Sequence, residues 1–140
     1  MQRIILLAGL FLITFVNKVR AQETHTITIE FKGMESDKGN LYVALYDKET
    51  DFLKKSIKGE IVKITDKKAT AVFENIPEGE YAISAFHDEN DNKKMDTKIF
   101  GIPKEPIGMS NDAKGFMGPP KYKDAKFSVK GDVSLTITMN

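Results

Sequence analysis

Cysteine and tryptophan are both missing from this 140-residue sequence, and only two histidines occur, His25 and His87. Without cysteine there can be no disulfide staple, thiol nucleophile or thiolate metal centre, so burial of a core must hold the fold together. A hydrolytic triad would have to recruit one of the two imidazoles, and Ser110 lacks the Gly-x-Ser-x-Gly setting of a nucleophile elbow. Neither sign of charge dominates: 21 Lys and Arg face 20 Asp and Glu. A nucleic-acid partner, which would need a basic stripe, is therefore not expected. Long apolar runs are also scarce. The one run of any length, residues 4–16, falls short of the roughly 20 residues that span a bilayer.

That run follows Met1-Gln2-Arg3 and gives way to Lys18 and Arg20, with Val19 and Ala21 at the small-residue positions before Gln22. This is the pattern of a secretory signal peptide, residues 1–21, cleaved before Gln22. There is no cysteine at that point to carry a lipid. The expected product is residues 22–140, one domain with no membrane span after cleavage, exported to the periplasm or outside the cell. Loss of Arg3, Lys18 and Arg20 with the leader makes the formal charge of +1 slightly negative. No sorting tail follows Asn140, and a complete small export product is expected.

Residues 24–31 alternate, with His25, Ile27, Ile29 and Phe31 on one face, which predicts a half-buried strand. A Gly and Asn turn separates it from a second strand, residues 41–46. Residues 47–59 read as a loop that tucks Phe52, Leu53 and Ile57 under the sheet edge. Residues 61–65 and 69–73 read as a hairpin about Asp66-Lys67-Lys68, and residues 81–87 as a further strand after a Pro77 and Gly79 turn. Residues 125–130 and 133–139 read as a closing hairpin around Gly131-Asp132. Between strand 81–87 and that hairpin, residues 88–124 show no sustained period but keep Ile99, Phe100, Ile102, Ile107, Met109, Phe116, Met117 and Tyr122, too apolar for a tether and so an ordered cover. About seven short strands predict an all-β class, a single antiparallel sandwich of immunoglobulin-like or transthyretin-like kind with one long ordered loop.

The strand 81–87 delivers the most distinctive stretch of the chain. Asp88, Asn90, Asn92 and Asp96 stand at relative positions one, three, five and nine, with the Lys94 carbonyl at seven, a spacing that lets alternate residues converge on one hard cation such as Ca2+. Lys93 occupies the position where such loops use glycine, and Ile99 the position where they use glutamate. The alternative is a solvated turn whose Asp and Asn side chains cap their own backbone. His87 shares the phase of Tyr81, Ile83 and Ala85 and is expected in the core; the alternative is a ligand or general base beside Asp88. His25 needs no role, and Glu74, Glu78, Glu80 and Glu105 read as charged surface.

The run Phe73, Ile76-Pro77, Gly79, Tyr81 resembles the strand-reversing pattern of prealbumin-like and carboxypeptidase-regulatory-like modules. From His87-Asp88-Glu89-Asn90 through Asp96, Phe100-Gly101-Ile102-Pro103, Glu105-Pro106, Gly108, Ser110-Asn111 and Gly118-Pro119-Pro120 to Asp124-Ala125, the sequence resembles an uncharacterised family of exported bacterial proteins, domain of unknown function 2141. What the resemblance implies is the sandwich fold and export, with no activity to carry over. The acidic loop also resembles the calcium loops of bacterial surface adhesin repeats. Together these readings predict an exported, non-enzymatic envelope module stabilised by Ca2+ and acting in binding or structure, its partner an envelope protein or a small ligand. The alternative is a small-ligand carrier or envelope enzyme using an apolar pocket under residues 88–124. Phe100, Met109, Phe116, Met117 and Tyr122 are expected to seal the sandwich end rather than line that pocket.

Overall fold

A computed structural model describes residues 20–140; the expected leader falls almost wholly in residues 1–19, outside the described residues. Among these residues eight strands form: β1 (Thr24–Lys32), β2 (Asn40–Tyr46), β3 (Lys58–Val62), β4 (Ala69–Pro77), β5 (Gly79–Asp88), β6 (Ile107–Met109), β7 (Phe127–Val129) and β8 (Val133–Thr138), with one short α-helix, α1 (Tyr122–Ala125), and three 3-10 turns. One sheet has the order β4-β1-β8; the other has β3-β2-β5-β6, with β7 also pairing with β5. The all-β sandwich is thus as the alternation predicts.

Inward side chains explain why the layers close. Ile27, Ile29 and Phe31 of β1, Leu41, Val43 and Leu45 of β2, Phe73 of β4, Ile83 of β5 and Ile137 of β8 are all buried in one cluster between the sheets. Period-two strands can satisfy that pattern only by placing one face of each against the other layer. A second, smaller cluster lies on the outer face of the larger sheet, where Tyr46, Ala82 and Met109 pack with Phe52, Tyr122 and Ala125. Phe52 meets the Tyr46 and Tyr122 rings edge-on, at centroid distances of 5.3 and 5.7 Å.

Two expected hairpins are corrected. Residues 65–68 do make a tight turn, with Asp66 and Lys67 at positive φ and a bridge from Thr65 to Lys68. Its arms part, however: β3 pairs with β2, whereas β4 pairs with β1 in the other sheet. The Asp37 carboxylate fixes the turn by accepting the N–H groups of Asp66 at 3.0 Å and Lys67 at 2.7 Å. The closing hairpin is likewise split. β7 pairs with β5, and β8 runs parallel to β1 from Ile27 opposite Val133 to Lys32 opposite Thr138. Asp132 Oδ1 accepts the Thr26 N–H at 2.8 Å, tying the Gly131-Asp132 turn to β1 instead of closing it on β7. Alternation fixes which face is buried and is silent about the neighbour.

Of the three apolar residues expected under the sheet edge, Phe52 is buried, while Leu53 and Ile57 are exposed. The 88–124 segment is less irregular than its sequence reads. It contributes β6, paired with β5 from Ser84 opposite Met109 to Phe86 opposite Ile107, and α1.

Candidate functional site

Asp88 ends β5 and is fully buried. Its carboxylate accepts two backbone N–H groups of the following loop, Asn92 to Oδ1 at 3.2 Å and Lys93 to Oδ2 at 2.8 Å. Lys93 has φ 65° and Asp91 φ 53°. The backbone therefore makes the left-handed turn that glycine usually supplies, at a cost of about 1 kcal/mol for a side chain with a Cβ. Asn90 Oδ1 accepts the Asn92 N–H at 3.2 Å and Asn92 Oδ1 the Lys94 N–H at 3.1 Å, so Lys94 joins the loop through its amide. Asn90 Nδ2 donates to Asp96 Oδ2 at 2.7 Å, and Asn92 Nδ2 to both Asp96 oxygens at 2.9 and 2.8 Å. Those two amides hold the Asp96 carboxyl below the usual aspartate range.

The four acidic and amide side chains singled out by spacing are thus one connected group. In this geometry they serve the loop's own backbone, as the self-capping alternative has it. A half-turn of each amide would present Oδ1 in place of Nδ2 toward Asp96, the arrangement a cation needs; carboxylate and carbonyl oxygens are the donors Ca2+ takes.

Sequence spacing missed one member of the group, Glu105. Position twelve of the loop, Ile99, is exposed and turned away. Glu105 comes back instead from the far arm of a finger, residues 96–105, in which Lys104 N–H donates to the Asp96 carbonyl at 2.8 Å, Thr97 bridges Pro103 and Lys98 N–H donates to the Ile102 carbonyl at 2.6 Å. Glu105 Oε2 accepts the Asp96 N–H at 3.2 Å, and Oε1 is covered with no hydrogen-bond partner among the described residues. Burial pushes this carboxyl above the ordinary glutamate range, helped by the charges of Asp88 and Asp96. The signal available in the sequence was the acidic residue between Pro103 and Pro106; what no spacing rule supplies is the finger that returns it to the loop.

The histidine and serine are both tied into the backbone of the fold. His87 is fully buried, its Nε2 2.6 Å from the Lys38 carbonyl oxygen and its Nδ1 3.7 Å from Glu89 Oε1. Ser110 is also fully buried; its Oγ accepts the Ile83 N–H at 2.9 Å and donates to the Ala125 carbonyl at 2.5 Å, which ties α1 to β5.

Above the loop opens a cleft of about 1120 Å³. Its floor is the outer face of β2 and β5, where Tyr42 and Phe86 stack at 4.9 Å. The finger forms one wall with Phe100 and Ile102, Met95 stands just before it, and Ile61 of β3 lines the cleft too. The acidic loop begins at the end of that floor: two pairs beyond Tyr42 and Phe86 in the β2–β5 ladder Asn40 lies opposite Asp88, and its Nδ2 donates to Asp91 Oδ1 at 3.4 Å. The expectation that the apolar residues of 88–124 seal the sandwich is corrected in part. Met109 and Tyr122 are buried in the outer cluster, but Phe100, Phe116 and Met117 are 97, 90 and 94% exposed. Nothing among the described residues covers them.

No helix among the described residues is long and apolar enough to cross a membrane. Two solved structures of a pilus-presented adhesin are similar to this chain at 16 and 15% identity, with TM-scores of 0.28 and 0.30. The match spans 84 and 86% of this chain and 27% of the adhesin chain in each. No curated protein matches. Residues 29–137, which run from β1 through the acidic loop, the finger and α1 into β8, match the family described as "Uncharacterized protein conserved in bacteria (DUF2141)", and the chain belongs to that family.

Proposed function

We propose that this protein is an exported, non-enzymatic β-sandwich module of the cell envelope that binds a small apolar ligand in its outer-face cleft, with Ca2+ at the acidic loop pinning the finger wall. The cleft carries the reading: it is large enough for a ligand of ordinary size, floored by stacked aromatic rings, and rimmed by side chains left in water at an unfavourable cost. The leader-like residues 1–21 support export, and the engagement of Ser110 and His87 in backbone hydrogen bonds leaves neither poised as a nucleophile or base.

An anilinonaphthalene dye, with a long-chain fatty acid as competitor, tests the cleft. The wild type is expected to bind the dye with enhanced fluorescence and to release it to the fatty acid. The double variant Phe100→Asp/Ile102→Asp, altered at exposed positions, should bind roughly tenfold or more weakly at unchanged melting temperature. Equal affinity in the two proteins would remove the cleft from the reading.

Calorimetry tests the ion. Calcium at a hundred times its dissociation constant should stabilise the wild type by about 2.7 kcal/mol, and Asp88→Asn or Glu105→Gln should abolish most of that gain. The effect has a pH sign. Because Glu105 is raised, its contribution without metal is present below its unfolded pKa and fades as pH rises through the folded one. Asp96 is lowered, so its contribution is present above its unfolded pKa and fades as pH falls through the folded one. Calcium requires both carboxylates, so its stabilisation should grow from acid pH upward through the raised Glu105 titration. A calcium effect that is absent, or identical in the variants, would leave only the self-capped loop.

A further inference from the structure

We infer a second metal site, distinct from the acidic loop, in which Glu23, His25 and Glu78 hold a divalent transition ion of the zinc class. One ligand atom from each of the three lies within 4.8 Å of the other two. The sites sit at opposite ends of β5: Glu78 immediately precedes Gly79, where the strand begins, and the acidic loop follows Asp88, where it ends. Ten residues of strand separate them by roughly 30 Å.

The backbone builds this site from two directions. His25 lies at the start of β1 opposite Ile76 of β4, and the register slips between His25 and Ile27. Such a bulge re-aims a side chain at a sheet end. Thr24 pairs with Pro77, and the Tyr81 hydroxyl donates to the Pro77 carbonyl at 2.8 Å, so the turn that carries Glu78 is fixed beside the imidazole. Glu23, one residue before β1, closes the third side.

The imidazole is in an unusual state for a histidine with no ligand. Its side chain is 14% exposed, and Nε2 is covered yet has no hydrogen-bond partner among the described residues. Glu78 Oε1 stands 3.5 Å away, too far for a good N–H···O bond. The same separation suits two ligands of one ion, because bonds of 2.0–2.1 Å in a tetrahedron set donor atoms about 3.3 Å apart. A simple ion pair accounts for one carboxylate; it gives no reason for a second to gather within 4.8 Å of the same imidazole. One imidazole and two carboxylates leave a fourth position open to water, the donor set of an accessible zinc-type centre, while the nitrogen ligand selects against Ca2+ and Mg2+.

Titration calorimetry of the purified protein with Zn2+, paired with nitrogen-15 spectra of the imidazoles, decides the matter. Zinc should bind at this site with micromolar or tighter affinity and shift the His25 Nε2 resonance. Excess Ca2+ should not displace it. His25→Gln should weaken binding at least tenfold, and so should Glu78→Gln and Glu23→Gln, both at exposed positions where folding is not at stake. Asp88→Asn should leave this site untouched. An unmoved His25 resonance would overturn the inference. So would wild-type affinity in His25→Gln, or a loss confined to that variant with both carboxylates indifferent, which is what a solitary surface histidine would give.

Discussion

Gly39→Ala should lower the unfolding free energy by roughly 3 kcal/mol or more, a large effect for a methyl group added at a turn far from the main core. Two causes act together. Gly39 has φ +67°, a conformation that costs an alanine about 1 kcal/mol. An added Cβ would also fall on the carbonyl oxygen of Asp88, backbone on backbone, so no rotamer change can relieve it. Residue 40 is already paired with Asp88 in the β2–β5 ladder, so the strain must push either the start of β2 or the end of β5. Denaturant melts should show the loss, and the calcium gain should shrink with it, because displacing Asp88 displaces the first oxygen donor of the loop. A variant within 0.5 kcal/mol of wild type would mean that the turn and the loop are not in contact.

Phe73→Ala should cost about 3–5 kcal/mol. Phe73 is 1% exposed, faces Ile27 across the β1–β4 ladder and belongs to the cluster shared by both sheets. Its ring fills the space between layers, and neither sheet can close the gap without leaving its own hydrogen bonds. Against a total stability of about 5–15 kcal/mol for a domain of this size, that is roughly a fifth or more of the whole. The midpoint should fall at unchanged slope, and a loss below 1 kcal/mol would show that the two layers do not share this core.

Much of this fold was legible because it rests on period two. Ile27, Ile29 and Phe31, or Leu41, Val43 and Leu45, declare their buried face without any partner being known. Pairing was not legible, since the turns at Asp66-Lys67 and Gly131-Asp132 carry the same residues whether the next strand returns to its neighbour or crosses to the other sheet. Each turn is held by a contact far along the chain: the Asp37 carboxylate accepts from the first, and the second turn's own Asp132 reaches the Thr26 N–H. β6 was hidden for another reason: three residues are too few to show an alternation, and Pro106 just before it argues for a loop. At the acidic loop, spacing picked out Asp88, Asn90, Asn92 and Asp96, which the fold joins by hydrogen bonds, and missed Glu105, which is brought there by tertiary folding of the finger.

The parallel contact between β1 and β8 bears on the order of events in folding. β1 has β8 as a neighbour, more than 100 residues later in the sequence, so the smaller sheet cannot be completed until residues 133–138 are available. Asn140 then exchanges two backbone hydrogen bonds with Ile107, tying the C-terminal end to β6 beside the cleft. Contacts so distant in sequence close late and slowly, on a scale of milliseconds to seconds for sandwiches of this kind. The smaller sheet and the cleft, which Thr138 and Asn140 help to line, would therefore take shape together, only once residues 133–140 have paired.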